Sequence, residues 1–198
     1  MKYKINEMFY SIQGEGAHTG TPMIFIRFSG CNLSCYFCDT KHWDGKEMSI
    51  KEIVAFVQQI DAKKVCLTGG EPTLQLDKGN DKLIQALKFI GKEIHLETNG
   101  TNPIPKGIDF CTISPKMDII TIDEKDIHCQ YEVKLIYPRV EPDRFITMYP
   151  KAIAYYFQPM DEGKEETNKQ NIKETVDFIK NNPIWKLSLQ THKLIDIL

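Results

Sequence analysis

Apolar residues recur along this chain with two different periods, and the places where the period changes mark its elements. Short alternating or continuous apolar runs at 23–28, 65–68, 94–98, 110–114, 132–137, 152–157 and 186–189 predict seven β-strands. Helical spacing begins at Ile50 and continues through Ile53, Val54, Val57 and Ile60, behind Ser49 and Glu52, which together make a capping-box pattern. A second helix is predicted from Asn80 or Asp81 through Leu83, Ile84, Leu87 and Ile90 to Gly91, and a third from about Thr167 to Asn181 ahead of Pro183. Strands alternate with helices in the first half, the pattern of right-handed βαβ units on a parallel sheet. From Gly100 to Pro150 no segment presents a convincing helical face, and Pro103, Pro105, Pro115, Pro138, Pro142 and Pro150 punctuate it, so the crossovers there are predicted to be loops. A complete eight-fold barrel takes ~250 residues. At 198 residues, the chain is predicted to be an α/β protein: a partial (β/α) barrel of about six or seven mainly parallel strands with about three helices, one domain over 1–198.

Composition narrows the partners more than the fold. With 25 Lys and Arg against 27 Asp and Glu, the net charge of -2 gives no electrostatic case for nucleic acid. The longest wholly apolar stretch, 152–157, is far short of the ~20 residues that a membrane-spanning helix needs, so no membrane partner is expected. The first nine residues carry Lys2 and Lys4 and no run long enough for an export signal, which predicts a cytoplasmic protein. In that reducing compartment, Cys31, Cys35 and Cys38 crowded within eight positions point to a metal rather than to disulfides.

Three thiolates is the informative number. A 4Fe–4S cluster usually takes four cysteines, so three leave one iron open to a group that is not protein. Structural zinc is the alternative, and it would need a fourth ligand such as His42. Downstream, Thr68-Gly-Gly-Glu-Pro72 follows a predicted strand, and paired glycines let backbone carbonyls come close to an ammonium group. Gln13-Gly-Glu-Gly16 is not a dinucleotide loop, since position 19 is Thr19 where that pattern needs glycine. Arg27 lies on the strand face of Met23 and Phe25, opposite Ile24, Ile26 and Phe28. It reads either as a solvated edge arginine or as a bidentate partner for a substrate carboxylate. Cys66, Cys111 and Cys129 fall in or beside predicted strands and read as small buried apolar residues. The run 161–166 reads as a solvated loop.

The cysteine spacing, with an aromatic before the last cysteine, resembles the radical S-adenosylmethionine (SAM) superfamily, and the glycine turn agrees with it. The flanks, Phe9 to Gly16 before the cluster and Cys38-Asp-Thr40 after it, resemble the 7-carboxy-7-deazaguanine synthase family. The likeness continues through Glu97 to Gly100, Ser114 to Lys116, Phe157 to Met160 and Gln190 to Lys193, nearly the whole chain. The resemblance implies a radical ring contraction of 6-carboxy-5,6,7,8-tetrahydropterin to 7-carboxy-7-deazaguanine with loss of ammonia, and SAM regenerated at each turnover. It implies that Cys31, Cys35 and Cys38 hold a 4Fe–4S cluster whose fourth iron is chelated by SAM. Phe37, Cys38, Asp39 and Gly70 would contact SAM, as would Ser114, Pro115, Lys116, Gln158, Pro159, Met160 and Asp161. Ile12, Gln13, Gly14, Arg27 and Thr68 would meet the pterin, and Thr40 would be a ligand to Mg2+. Asn99 departs from the smaller residue expected there and touches on ribose recognition; His192 is a further substrate-site candidate. A flavodoxin- or ferredoxin-like electron donor and a homodimer are likewise implied. The rival readings are an activating enzyme that makes a glycyl radical on a partner protein, and a noncatalytic iron–sulfur or zinc module.

Overall fold

The computed structural model describes residues 1–116, 121–138 and 141–197. Its strands are β1 (Lys2–Ile12), β2 (Pro22–Phe28), β3 (Lys46–Ser49), β4 (Lys64–Gly69), β5 (Glu93–Thr98), β6 (Phe110–Ile113), β7 (Gln130–Tyr137), β8 (Tyr155–Pro159) and β9 (Trp185–Leu187). All join one sheet in the order β3-β1-β2-β4-β5-β6-β7-β8-β9. From β2 through β9 along that order every pairing is parallel, while β1 runs antiparallel to both β2 and β3. The helices are α1 (Ile50–Gln58), α2 (Lys82–Phe89), α3 (Pro142–Met148), α4 (Glu165–Asn181) and α5 (Thr191–Leu194). This is the α/β partial barrel that the periodicity predicts.

The seven predicted strands are all present, with shifted ends; 152–157 becomes Tyr155–Pro159 and 186–189 becomes Trp185–Leu187. Two strands escape the pattern. β1 buries only Tyr3 and Ile5 fully, and β3 buries nothing fully, so neither carries the buried apolar run of the other strands. Two helices also escape it. α3 occupies part of the stretch predicted to be loop: Pro142 sits in its first turn, where a missing N–H costs nothing, and only Phe145 is fully buried. That proline starts a helix rather than breaking one. α5 is a single turn, too short for periodicity to register.

The predicted caps form as read. Ser49 Oγ accepts from Glu52 N at 3.3 Å while Glu52 accepts from Ser49 N at 2.8 Å. Buried Asp81 accepts from Leu83 N and Ile84 N at the start of α2, and Tyr3 Oη donates to it at 2.9 Å, which ties β1 to that helix. The sheet then divides by face. Ile24, Ile26, Phe28, Val65, Leu67, Ile94, Leu96, Cys111, Ile113, Val133, Leu135 and Phe157 join the main core with Ile53, Val57, Leu83 and Leu87 from α1 and α2. On the other face Met23, Phe25 and Cys66 make a small separate cluster with Phe9. Beyond them, that concave face turns polar.

Candidate active site

The C-terminal ends of the parallel strands open onto a cavity of about 600 Å³. The cysteine loop forms one wall. Its base is closed where Gly30 N and Ser29 Oγ both donate to the His42 carbonyl, at 2.8 and 2.7 Å, and Cys38 N donates to Cys35 O at 3.1 Å. Cys31, Cys35 and Cys38 are in no disulfide and all line the cavity, with Phe37, Asp39 and Thr40 among them. Leu33 N donates to Cys31 Sγ at 3.4 Å, although burial outweighs that bond and pushes the Cys31 thiol up. Among the described residues no three His, Cys, Asp or Glu side chains converge as they would around a single ion. Structural zinc would need the three cysteines and a fourth ligand such as His42 on one tetrahedron, whereas a cuboid takes one thiolate per iron and leaves its fourth iron open. The donor set fits the cluster.

The glycine turn at the end of β4 packs directly beneath this loop. A side chain at Gly70 would collide with the Gly30 carbonyl, so the close approach requires glycine. Fully buried Glu71 accepts from Thr73 N at 3.0 Å, Thr73 Oγ1 at 2.6 Å, Thr98 Oγ1 at 2.8 Å and Asn99 N at 2.7 Å. Its carboxylate thus ties the turn after β4 to the turn after β5, leaving the glycines to face the cavity. Asn99 lines the cavity too, and its side chain bridges to Asn32 Oδ1 at 3.0 Å and to Thr101.

The floor comes from the segment between β1 and β2, which folds into the barrel. Gln13 Nε2 donates to Glu97 Oε1 at 2.9 Å, and Thr68 Oγ1 donates to Glu97 Oε2 at 2.7 Å. Glu15 pairs with buried Lys134 and accepts from Gln158 Nε2 at 3.2 Å. Ala17 N and Thr112 Oγ1 both donate to buried Glu132, which also occupies the space that a side chain at Gly16 would need. Burial opposes the charge on both members of the Glu15–Lys134 pair, yet their mutual attraction wins and holds the carboxyl low and the ammonium high. Burial lifts Glu132 instead. Ile12, Gln13 and Gly14 line the cavity, and Gly14 O accepts from Thr191 N at 3.0 Å beside His192.

Arg27 faces the same space. Glu7, its register partner on β1, accepts from Nε at 2.7 Å, and the guanidinium lies 5.7 Å from the centre of the Phe9 ring. Lys116 donates to Ser114 Oγ at 2.6 Å on the opposite side; burial and then the Lys134 charge lower its pKa. Gln158 and Pro159 at the end of β8, with Met160 and Asp161 just past it, line the cavity, while Pro115 is buried outside it. Of the sequence-predicted contact residues, Pro115 is the one the geometry leaves away from the cavity.

The far rim is held by α5. Lys193 Nζ reaches Asp39 Oδ2 at 2.5 Å and Asp161 Oδ2 at 2.7 Å, and Gln190 Nε2 donates to Asp39 at 3.0 Å. These bonds hold Asp39 low against its burial, and Lys193 chiefly holds Asp161 at about 2. Sequence reasoning missed Glu15, Glu97, Glu132, Lys134 and Lys193 as site residues. The signal for two was available: Glu132-Val-Lys-Leu135 alternates charge with apolar bulk on a strand whose parallel pairing calls for burial on both faces.

Comparison with known proteins fits this geometry. The Radical SAM superfamily model matches residues 25–179. The 7-carboxy-7-deazaguanine synthase of Bacteroides thetaiotaomicron is 48% identical over 200 residues, covering all of both chains. That of Haemophilus influenzae is 36% identical, over 98% of this chain and 94% of its own. The crystal structure of QueE from Escherichia coli superposes with a TM-score of 0.78 at 27% identity, covering 97% of this chain and 95% of that one. The chain belongs to the radical SAM superfamily and, within it, to the 7-carboxy-7-deazaguanine synthase family.

Proposed function

We propose that this chain is a radical SAM lyase, one domain over 1–198, that contracts 6-carboxy-5,6,7,8-tetrahydropterin to 7-carboxy-7-deazaguanine with loss of ammonia. The product feeds 7-deazapurine nucleosides such as queuosine. The observation that carries the reading is the meeting, in one cavity, of three cysteines outside any disulfide, a glycine turn and an inward-facing arginine. A 4Fe–4S cluster and SAM, when bound, supply an adenosyl radical that removes a hydrogen atom from the substrate.

The chain's own residues bind and orient. Cys31, Cys35 and Cys38 hold the cluster, and the backbone around Gly70 receives the methionyl amine of SAM. Ser114, Lys116, Gln158, Pro159, Met160 and Asp161 line the SAM end of the cavity with Phe37 and Asp39. Ile12, Gln13, Gly14 and Thr68 meet the pterin, with His192 beside them. Glu97 already joins Gln13 to Thr68 through its two oxygens, so the two substrate-facing side chains are preset relative to each other. Arg27 offers the rest of its guanidinium to the substrate carboxylate while Glu7 fixes its Nε. Thr40 supplies one hard oxygen to Mg2+, which is commonly held by few protein groups plus substrate oxygens and water. The reading includes a flavodoxin- or ferredoxin-like electron donor and a cytoplasmic homodimer.

The test is an anaerobic incubation of reconstituted protein with SAM, a reductant and carboxytetrahydropterin, read by mass spectrometry. Appearance of 7-carboxy-7-deazaguanine supports the reading. SAM cleavage with no deazaguanine points to an activating enzyme, and bound zinc without iron points to a structural module.

A further inference from the structure

We propose that Lys134 is a positioning residue for the pterin: through its buried ion pair with Glu15 it fixes the segment between β1 and β2 against β7, and so places Gln13 and Gly14. The inference rests on the reading of Ile12, Gln13 and Gly14 as the residues that meet the pterin. The Lys134 side chain is 7% exposed and that of Glu15 14%, and the two are bonded directly. Taking two charges out of water costs more than their attraction commonly returns, and an apolar pair of similar volume is often as stable or more so. A buried pair in the wall of a site therefore calls for a reason other than stability.

The geometry supplies one. Glu132 and Lys134 stand two apart on the inward face of β7, and they engage residues two apart in the segment, in reverse order: Glu132 accepts from Ala17 N at 2.8 Å, and Lys134 pairs with Glu15. Between those two, the segment lies so close to the strand that a side chain at Gly16 would collide with the Glu132 carboxylate. Lys134 lines the cavity with Gln13, Gly14 and Glu15, as does Ile136, the next residue of that face. The other bonds of the segment run elsewhere: Gln13 N donates to Thr21 O at 2.8 Å, Gly14 O accepts from Thr191 N at 3.0 Å, and Gly16 N donates to Ser188 Oγ at 3.1 Å. Toward β7, the tie at the cavity is the one from Lys134. Gln158 also donates to Glu15, at 3.2 Å, but it has a second hold, since Ser188 Oγ donates to its Oε1 at 3.2 Å. Loss of the pair should therefore disturb the pterin-facing segment more than the SAM-lining Gln158.

The experiment compares reconstituted wild-type enzyme, Lys134→Met and the double variant Glu15→Gln/Lys134→Met at matched iron content. It measures kcat and KM for carboxytetrahydropterin, KM for SAM, and urea unfolding. Lys134→Met leaves a carboxylate buried without its partner, so it should lose stability. Its kcat/KM for the pterin should fall about a hundredfold, the loss that a ~1 Å misplacement produces. The change should fall on KM for the pterin and exceed any rise in KM for SAM. The double variant buries no unpaired charge, and the amide at position 15 can still accept from Gln158. Its unfolding midpoint should return toward wild type while its KM for the pterin stays high. A double variant that recovers both would make the pair purely structural and overturn the proposal. So would Lys134→Met with a wild-type KM for the pterin, or equal rises in KM for pterin and SAM. Should Lys134→Met fail to fold, the double variant decides: a raised KM for the pterin supports the role, and a wild-type one overturns it. Wild-type enzyme that cleaves SAM and makes no deazaguanine would overturn the reading of the reaction and this inference together, whereas product formation with an unaltered KM in the variants would overturn the inference alone.

Discussion

On the helix-covered face of β4, Val65 and Leu67 are fully buried in the main core; on its other face, Cys66 joins a small cluster and Thr68 turns into the cavity. The same contrast repeats on β7, where Val133 and Leu135 pack outward while Glu132 and Lys134 point inward and find partners. A parallel sheet with both faces covered ordinarily reads as continuous apolar runs. Here the outer face keeps that composition and holds the fold. The inner face gives up apolar bulk for Arg27, Thr68, Glu97, Thr112, Glu132, Lys134 and Gln158, each engaged with another polar group. Stability and chemistry are thus separated by the two-residue period of each strand, and substitutions one position apart should have different consequences.

The largest effect should come from the cysteine loop. Cys35→Ala is expected to remove cluster absorbance and all SAM cleavage, while Cys66→Ala keeps both, since Cys66 is buried and its thiol is pushed well up by desolvation. Equal loss in the two variants, read by iron analysis and 5′-deoxyadenosine release, would erase the distinction between loop and strand cysteines.

Next in size is the contrast within β4. Leu67→Ala should cost about 2–5 kcal/mol in urea unfolding, as truncation of a fully buried leucine leaves a cavity. Thr68→Ala should change stability much less and instead raise the KM for substrate. Similar unfolding midpoints for both would mean that the faces do not divide the work.

Arg27→Ala should spare SAM cleavage without substrate and weaken substrate binding by about 1.5–3 kcal/mol, roughly one to two decades in Kd. Unchanged affinity by calorimetry would return Arg27 to its pairing with Glu7 alone. Thr40→Ala, at matched cluster content, should lose the Mg2+ dependence of product formation; identical titration curves would remove Thr40 from the metal site.

A smaller effect should arise at the lower end of the barrel, where His18 stacks edge-on against His95 and Phe110 at 4.5 Å each. Burial first, then the His95 and Lys64 charges, hold His18 at about 4, and burial also lowers His95. An unfolded histidine titrates near ~6.5, so the unfolded chain takes up the proton first as pH falls. Stability should be full above about 6.5 and decline from there toward about 4. His18→Phe should flatten that decline between pH 7.5 and 5 in urea unfolding, and an equally steep decline in the variant would place the titration elsewhere.

Much of this was legible in the sequence, for identifiable reasons. The seven parallel strands announce themselves because their outer faces must be apolar, and the cysteine loop announces itself because ligand spacing is local. β3 was hidden because an edge strand that buries nothing fully carries little apolar signal, and β1, between β3 and β2, because only Tyr3 and Ile5 of its residues are fully buried. The inward charges were harder to assign, since a glutamate or lysine in a strand reads as solvent-facing until its partner is known. Glu15 and Lys134 are 119 positions apart, and only the fold brings them together. The role of Glu71 as a tie between two turns was equally nonlocal.

The most direct test of the account is the ratio of 7-carboxy-7-deazaguanine to 5′-deoxyadenosine formed anaerobically by the reconstituted enzyme with excess carboxytetrahydropterin and limiting SAM. The account predicts many deazaguanine molecules for each SAM consumed, because the proposed reaction would regenerate SAM at each turnover. Accumulation of 5′-deoxyadenosine with no deazaguanine would contradict it.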